Sequence, residues 1–252
     1  MDFQQAAWRN SLERPYLRDD EIHVWRARLD KEPCAIRTLF ETLSDEEKTK
    51  ADKFRFAEDR NHFVTARGIL RKILGNYLGI SPVRLRFSYE RCGKPVLNTG
   101  AGDNSLCFNL SHSRRFALFA VARRREIGID LEFIDEKHAL MKVAEMFFSA
   151  AEITMLKAIP ADSRAAAFFS VWTRKEAFLK AIGKGLSYPP TQVTVATATE
   201  GREICSVAGD LHKTRRWFVM TLPFDHYYKA ALAAEGTIRT VRFWQSPENW
   251  FE

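Results

Sequence analysis

The pattern of apolar residues predicts an α+β protein, with helices and antiparallel strands mixed in both halves of the chain. Three observations carry that expectation. Ile127-Gly128-Ile129-Asp130-Leu131-Glu132 alternates apolar and polar residues, the period of a half-buried strand. Residues 59–78 and 163–183 instead repeat their apolar residues at helical spacing. Between residues 106 and 133 lie three short strand-like runs joined by tight polar turns, which predicts an antiparallel meander.

Taken in order, Glu21 to Leu29 alternates as a strand. Ser44-Asp45-Glu46-Glu47 has the S-x-x-E form of a capping box and opens a helix that runs through Lys48, Lys50 and Lys53. The next helix, from about Asp59 to Leu78, carries Phe63, Ala66, Ile69, Leu70, Ile73, Leu74 and Tyr77 on one face. Gly79 and Pro82 end it, and Arg60 and Arg67 are expected on its surface. Arg84 to Tyr89 reads as a strand, and Cys92-Gly93-Lys94-Pro95 as a turn that presents Lys94 beside a stiff proline. The meander follows at Leu106–Leu110, Phe116–Ala122 and Ile127–Phe133, with Ser111-His112 in its first turn. In its last strand Asp130 and Glu132 share a face, about 6–7 Å apart at Cα, so both can reach one hard cation. Gly128 on that face leaves room for a ligand to approach the strand.

Residues 138–148 read as a helix, and Ser149 with Glu152 forms a second capping box that opens another. On the helix that starts near Ser163, Phe168, Val171, Phe178, Leu179 and Ile182 form the apolar stripe. Glu176 and Lys180 sit together at its rim, where an ordinary surface ion pair is the simpler reading. Lys175 falls within the stripe and therefore requires a carboxylate or an anion nearby. Beyond Pro189-Pro190 the chain reads as strands at Thr191–Ala198, Trp217–Leu222, Tyr227–Ala233 and Ile238–Trp244.

Composition narrows the functional classes. With 252 residues, 46% of them hydrophobic and 12% aromatic, the chain holds one large or two small folded domains, and disorder is excluded. The N-terminal residues lack a signal-peptide pattern, and the longest clean apolar run, Phe116 to Ala122, is far too short to span a bilayer. A soluble, cytoplasmic protein without a membrane partner is expected. Cys34, Cys92, Cys107 and Cys205 are scattered without a C-x-x-C, which predicts neither a zinc site nor a disulfide framework. The net charge of +7 and a pI near 9.3 call for acidic partners, although the clusters Arg114-Arg115, Arg123 to Arg125 and Arg215-Arg216 are too short and dispersed for a nucleic-acid-binding arm.

The chain thus offers paired carboxylates on a strand, a Glu/Lys pair on a helix rim, a histidine near a strand turn and a lysine beside a Gly-Pro turn. Such a set can hold a metal and a polyphosphate, and electrostatics can then carry a phosphoryl-type transfer. Neither a P-loop nor a dinucleotide glycine fingerprint is present, which counts against an ATPase or a dehydrogenase.

Five segments resemble the Sfp-type 4'-phosphopantetheinyl transferases, in that family's order and spacing. They are Gly93-Lys94-Pro95, Asn109-Leu110-Ser111-His112-Ser113, Ile127 to Glu132, Phe147-Phe148-Ser149-Ala150-Ala151-Glu152, and the run from Trp172 through Lys175-Glu176 and Lys180 to Gly185. The resemblance implies two similar α+β subdomains in a pseudo-twofold arrangement. Residues 1–126 would contact coenzyme A and the carrier, residues 127–252 would hold the metal and catalytic residues, and the active site would lie in the cleft between them. It implies transfer of the phosphopantetheine arm of coenzyme A to a serine of an acidic acyl or peptidyl carrier protein by a monomeric enzyme, with release of adenosine 3',5'-bisphosphate. By motif, Asp130, Glu132 and Glu176 would ligate Mg²⁺, with Mn²⁺ the alternative metal. Glu176 would also act as base, with Lys180 and Asp130 completing the catalytic set. Lys94, Ser111, His112 and Lys180 would bind coenzyme A, with Lys50, Arg60 and His62 at its 3'-phosphate. The competing reading is a catalytically inactive basic protein on the same fold that binds nucleic acid or a carrier.

Overall fold

The computed structural model describes residues 8–10, 15–98, 105–135, 140–196, 204–207 and 217–251. The expectations for the start of the chain and for Arg215-Arg216, and parts of those at 98–105, 138–148 and 191–198, lie outside the described residues. In chain order the elements are β1 (Arg9–Asn10), β2 (Glu21–Arg28), α1 (Pro33–Glu41), α2 (Asp45–Ala51), α3 (Ala57–Leu78), β3 (Phe87–Tyr89), β4 (Pro95–Leu97), β5 (Leu106–Ser113), β6 (Phe116–Arg123) and β7 (Ile127–Phe133). Then come α4 (Leu140–Phe147), α5 (Ala150–Ala158), α6 (Ala161–Ala181), β8 (Val193–Ala196), β9 (Ile204–Val207), β10 (Trp217–Thr221), β11 (Tyr228–Glu235) and β12 (Thr240–Gln245).

One topology occurs twice. A strand, three helices, a hairpin and two further strands run from β2 to β6 and again from β7 to β11. The sheets order as β2-β6-β5 and β7-β11-β10, all antiparallel. The predicted α+β class with two similar halves is therefore present, although no repeat is visible in the residues. The expected meander is not. β6 pairs with β2 on one side and β5 on the other, so it has no free edge left for β7, which starts the second sheet against β11. The last strand, β12, returns to lie parallel to β2, and β1 pairs with its outer edge.

Strand alternation sorts the core into layers. Ile22, Val24, Leu118 and Ala120 of the first sheet pack against Ile129, Leu131, Ala230 and Leu232 of the second. The outer face of the first sheet, with Trp25, Ala27 and Phe119, is covered by α1 and α3 through Leu39, Ile69 and Ile73. The outer face of the second, with Ala231 and Ala233, is covered by α4 to α6 through Ala144, Leu156, Phe168 and Phe178. Burying a side chain of this size contributes roughly 1.5–3 kcal/mol, so these layers dominate the stability.

Both capping boxes form, at Ser44/Glu47 and at Ser149/Glu152. Each capping glutamate is also buried and serves a second element. Glu47 takes the guanidinium of Arg71 at 2.7 Å and that of Arg67 at 3.2 Å, so Arg67, expected on the surface, is buried at the α2–α3 contact. Glu152 accepts from Lys175 at 2.7 Å and from the Val195 N–H at 2.8 Å. That is the carboxylate Lys175 requires, and its ammonium also reaches the Val193 carbonyl.

Candidate active site

The two halves meet along β5 and β7, and side chains rather than backbone pairs make the seam. Asn109 Oδ1 accepts from the Ile129 N–H at 2.9 Å, Ser111 Oγ donates to Asp130 Oδ1 at 2.9 Å, and Ser113 Oγ accepts from the Phe133 N–H at 3.0 Å. The spacing of two residues is that of a strand face, because β5 runs on to Ser113 instead of turning at Ser111. Asn109 and Ser113 were missed as site residues for this reason. The polar alternation N-x-S-x-S was the signal that could have found them.

On the other side of β7 lies α6. Gly128 sets its distance: a Cβ there would stand 2.0 Å from the Ala177 carbonyl oxygen and 2.4 Å from the Ala181 nitrogen. The room expected for a ligand is thus taken by helix backbone. This close approach brings Lys180 Nζ within 2.6 Å of Asp130 Oδ1 and 2.9 Å of Ser111 Oγ. Asp130 is 2% exposed, and its Oδ2 has no hydrogen-bond partner.

Glu132 and Glu176 complete an acidic group. Burial and then the neighbouring Asp130 push the Glu132 carboxyl up to about 7, while Lys180 and a 3.3 Å bond from Ser113 pull the other way. Burial and Asp130 also raise Glu176, against the pull of Lys180. Mutual repulsion of this kind is relieved by a cation. Among the described residues, no three His, Cys, Asp or Glu groups are closed into a ready-made metal cage. Three hard carboxylates and an orphaned buried oxygen nevertheless suit Mg²⁺, which is held by one or two carboxylates plus phosphate and water rather than by a protein cage.

Around this centre stand the basic residues. His112 projects opposite to Ser111, toward α3. Burial first, then Lys180 and His62, lower its pKa, and Asp59 acts the other way. His62 in turn lies 3.3 Å from Asp30. Lys94, on the β3–β4 hairpin of the first half, donates to the Ala181 carbonyl at the end of α6 at 2.9 Å and pairs with Glu126 at 2.8 Å. A lysine at a helix C-terminus is favoured by the helix dipole. Lys50 and Arg60 stand apart, over the rings of Phe63 and Phe40, with Arg60 also paired to Asp52 at 3.3 Å. The site thus gathers Asp130, Ser111 and Lys180 in direct contact, and Glu132, Glu176 and His112 within electrostatic reach.

Comparison with known proteins bears on both halves. The model of the 4'-phosphopantetheinyl transferase superfamily matches residues 126–233, and that of the 4'-phosphopantetheinyl transferase N-terminal region matches residues 25–124. The 4'-phosphopantetheinyl transferase HetI of Nostoc is 38% identical, over 95% of this chain and 98% of its own. The 4'-phosphopantetheinyl transferase Sfp of Bacillus subtilis is 29% identical, over 76% and 82%. Among solved structures, a holo-(acyl-carrier-protein) synthase from Bacillus anthracis in complex with CoA (3',5'-ADP) superposes on 44% of this chain and 96% of its own, at 18% identity and a TM-score of 0.37. The matches to HetI and to the two family models together cover nearly the whole chain, and on them the protein belongs to the Sfp-type 4'-phosphopantetheinyl transferases.

Proposed function

We propose that the enzyme transfers the 4'-phosphopantetheine of coenzyme A to a serine of an apo acyl or peptidyl carrier protein at the junction of β5, β7 and α6, where residues 1–126 meet residues 127–252. The observation that carries this reading is the contact among Ser111, Asp130 and Lys180, which joins motifs from both halves around a buried carboxylate oxygen without a partner. Asp130, Glu132 and Glu176 would hold Mg²⁺, or Mn²⁺ in its place. When bound, the ion supplies charge neutralisation at the pyrophosphate.

The chain's own groups do the rest. Glu176, whose pKa is raised, accepts the proton of the carrier serine. The serine oxygen bonds to the phosphorus that bears pantetheine, and the bond from that phosphorus to the leaving adenosine 3',5'-bisphosphate breaks. Lys180 faces the charge that develops on the phosphoryl oxygens, and Ser111 holds Asp130 in place beside it. His112 and Lys94 flank the path of the nucleotide, with His62, Arg60 and Lys50 further along α2 and α3 toward the 3'-phosphate.

No helix among the described residues is long and apolar enough to cross a membrane. The reading includes a cytoplasmic, monomeric enzyme that meets acidic carriers through its +7 charge. A catalytically idle nucleic-acid binder is disfavoured, because buried carboxylates repel phosphate unless a metal intervenes. Incubation with CoA, MgCl₂ and a panel of apo-carriers, read by intact mass, tests the reading. A phosphopantetheine adduct on at least one carrier is expected, and CoA binding without an adduct on any carrier would refute it.

A further inference from the structure

β5 meets β7 as a comb. Ser111 and Ser113 are two residues apart on one strand, Asp130 and Glu132 two apart on the other, and each serine takes one carboxylate. Ser111 Oγ donates to Asp130 Oδ1 at 2.9 Å, and Ser113 Oγ donates to Glu132 Oε2 at 3.3 Å. Neither hydroxyl can reverse its role. Lys180 Nζ donates to Ser111 Oγ at 2.9 Å and the Phe133 N–H donates to Ser113 Oγ at 3.0 Å. Both of these partners are donors only, so each hydroxyl hydrogen is left for its carboxylate. A slip of the strands is blocked as well, because Asn109 Oδ1 accepts from the Ile129 N–H at 2.9 Å and pins their register.

The two oxygens of Asp130 are therefore unequal. Oδ1 holds the Ser111 hydroxyl and, at 2.6 Å, the Lys180 ammonium, whereas Oδ2 is buried without a hydrogen-bond partner. With both lone pairs engaged, Oδ1 has none left for a cation. Glu132 repeats the pattern more loosely, with one hydroxyl on Oε2.

We infer that Ser111 and Ser113 select the metal. They cover one oxygen of each carboxylate, so that Asp130 and Glu132 each present a single oxygen, and the site takes Mg²⁺ or Mn²⁺ and rejects Ca²⁺. The inference rests on the transferase reading and its metal site, and adds to it the basis on which the ion is chosen. Mg²⁺ binds in a compact octahedron, through one or two carboxylates with phosphate and water making up the rest. Ca²⁺ fills a larger shell of about six to eight oxygens and often takes a carboxylate through both of its oxygens. The comb denies it the second one. In this scheme the serines are positioning residues, since they act on the ion only through the carboxylates.

The test measures ion binding by the full chain with CoA saturating and no carrier, so that nothing turns over. Bound Mn²⁺ is read from the loss of the free-ion electron paramagnetic resonance signal, corrected for Mn²⁺ held by CoA alone, and Ca²⁺ is titrated in as competitor. Wild type should prefer Mn²⁺ over Ca²⁺ by about a hundredfold. Ser113→Ala should narrow that preference about fivefold, and Ser111→Ala with Ser113→Ala about tenfold or more, chiefly through tighter Ca²⁺. Ser113→Thr, which keeps the hydroxyl, should restore the wild-type ratio. Thr38→Ala, which removes a hydroxyl bonded to the Cys34 carbonyl on α1, should leave it unchanged. Should the double variant lose CoA binding, it is misfolded, and Ser113→Ala against Ser113→Thr decides. The proposal falls if wild type shows no preference, or if the ratio for Ser113→Ala stays within about twofold of wild type. Either result, with a carrier still labelled in the intact-mass panel, refutes the selection and keeps the reaction. No Mn²⁺ bound beyond that held by CoA, and no carrier labelled, refutes both.

Discussion

Replacing Gly128 by alanine adds one methyl group where the backbones of β7 and α6 touch. The new Cβ would stand 2.0 Å from the Ala177 oxygen, about 1.4 Å short of ordinary contact, and 2.4 Å from the Ala181 nitrogen. Neither atom belongs to a side chain that could rotate away, so α6 must retreat as a body. Glu176 and Lys180 travel with it. A shift of that size would stretch the 2.6 Å Lys180–Asp130 contact to about 4 Å, beyond hydrogen bonding. Overpacking of this kind costs about 1–3 kcal/mol, or roughly 2–12 °C in Tm for a chain of this length. Misplacing catalytic groups by about 1 Å costs on the order of 10²-fold in rate. Gly236→Ala is the control. Unlike Gly128 it has a positive φ, of 82°, and it meets only the end of the Arg125 side chain at 3.8 Å, so it should lower Tm and leave kcat intact. Thermal melts and kcat at saturating CoA and carrier read the two effects apart. A Gly128→Ala enzyme with wild-type Tm and kcat would show that the close approach of α6 does not position the site.

Lys175→Met should destabilise the fold by about 3–5 kcal/mol in urea titration, because it strands Glu152 in the core, and adding Glu152→Gln should restore part of the loss. Equal stability of the single and double variants would contradict that pairing. With its pKa raised from 4.5 to about 7, Glu132 keeps a proton in the folded state that the unfolded chain releases, so its contribution to stability is lost as pH rises between those values. A cation at the carboxylates offsets this repulsion, so MgCl₂ should raise Tm more at pH 8 than at pH 5, and an equal rise at both would count against a metal there. Glu176→Gln should lower kcat by about 10²–10⁴-fold with CoA affinity retained, whereas Lys180→Ala should also weaken CoA binding. If both variants lose only melting temperature, the two residues serve the packing of α6 on β7 and not the reaction.

Much of this was legible because local rules and tertiary structure agree. The period of two at residues 127–132 placed Asp130 and Glu132 on one face, and the helical wheel that put Lys175 in the apolar stripe demanded a carboxylate, found in Glu152. Other features depend on which elements become neighbours, and periodicity is silent on that. β7 alternates equally well beside β6 or β11, and only the occupied edges of β6 decide. Gly128 reads as open space until α6 is packed on it. Arg67 looks solvated on its own helix and becomes buried because α2 supplies Glu47. The strand end at Ser111-His112 was misjudged because serine and histidine resemble turn residues, whereas here their alternation continues to Ser113.

The pairing of β12 with β2 bears on how the chain can be made and divided. A ribosome releases β2 long before residues 240–245 exist, so the outer edge of the first sheet stays open until those residues emerge. Beyond the strand, Lys31 pairs with Glu248 at 2.9 Å and Lys72 donates to the Trp250 carbonyl, which fastens this late segment to α3 and to the loop before α1. The first half thus resembles a box whose lid is cut from the far end of the sheet. Splitting the coding sequence between β6 and β7 would give an amino-terminal fragment that lacks this edge. Such a fragment needs the second half present in trans, because residues 240–251 alone would close its edge and leave the face of Ile22, Val24, Leu118 and Ala120 bare.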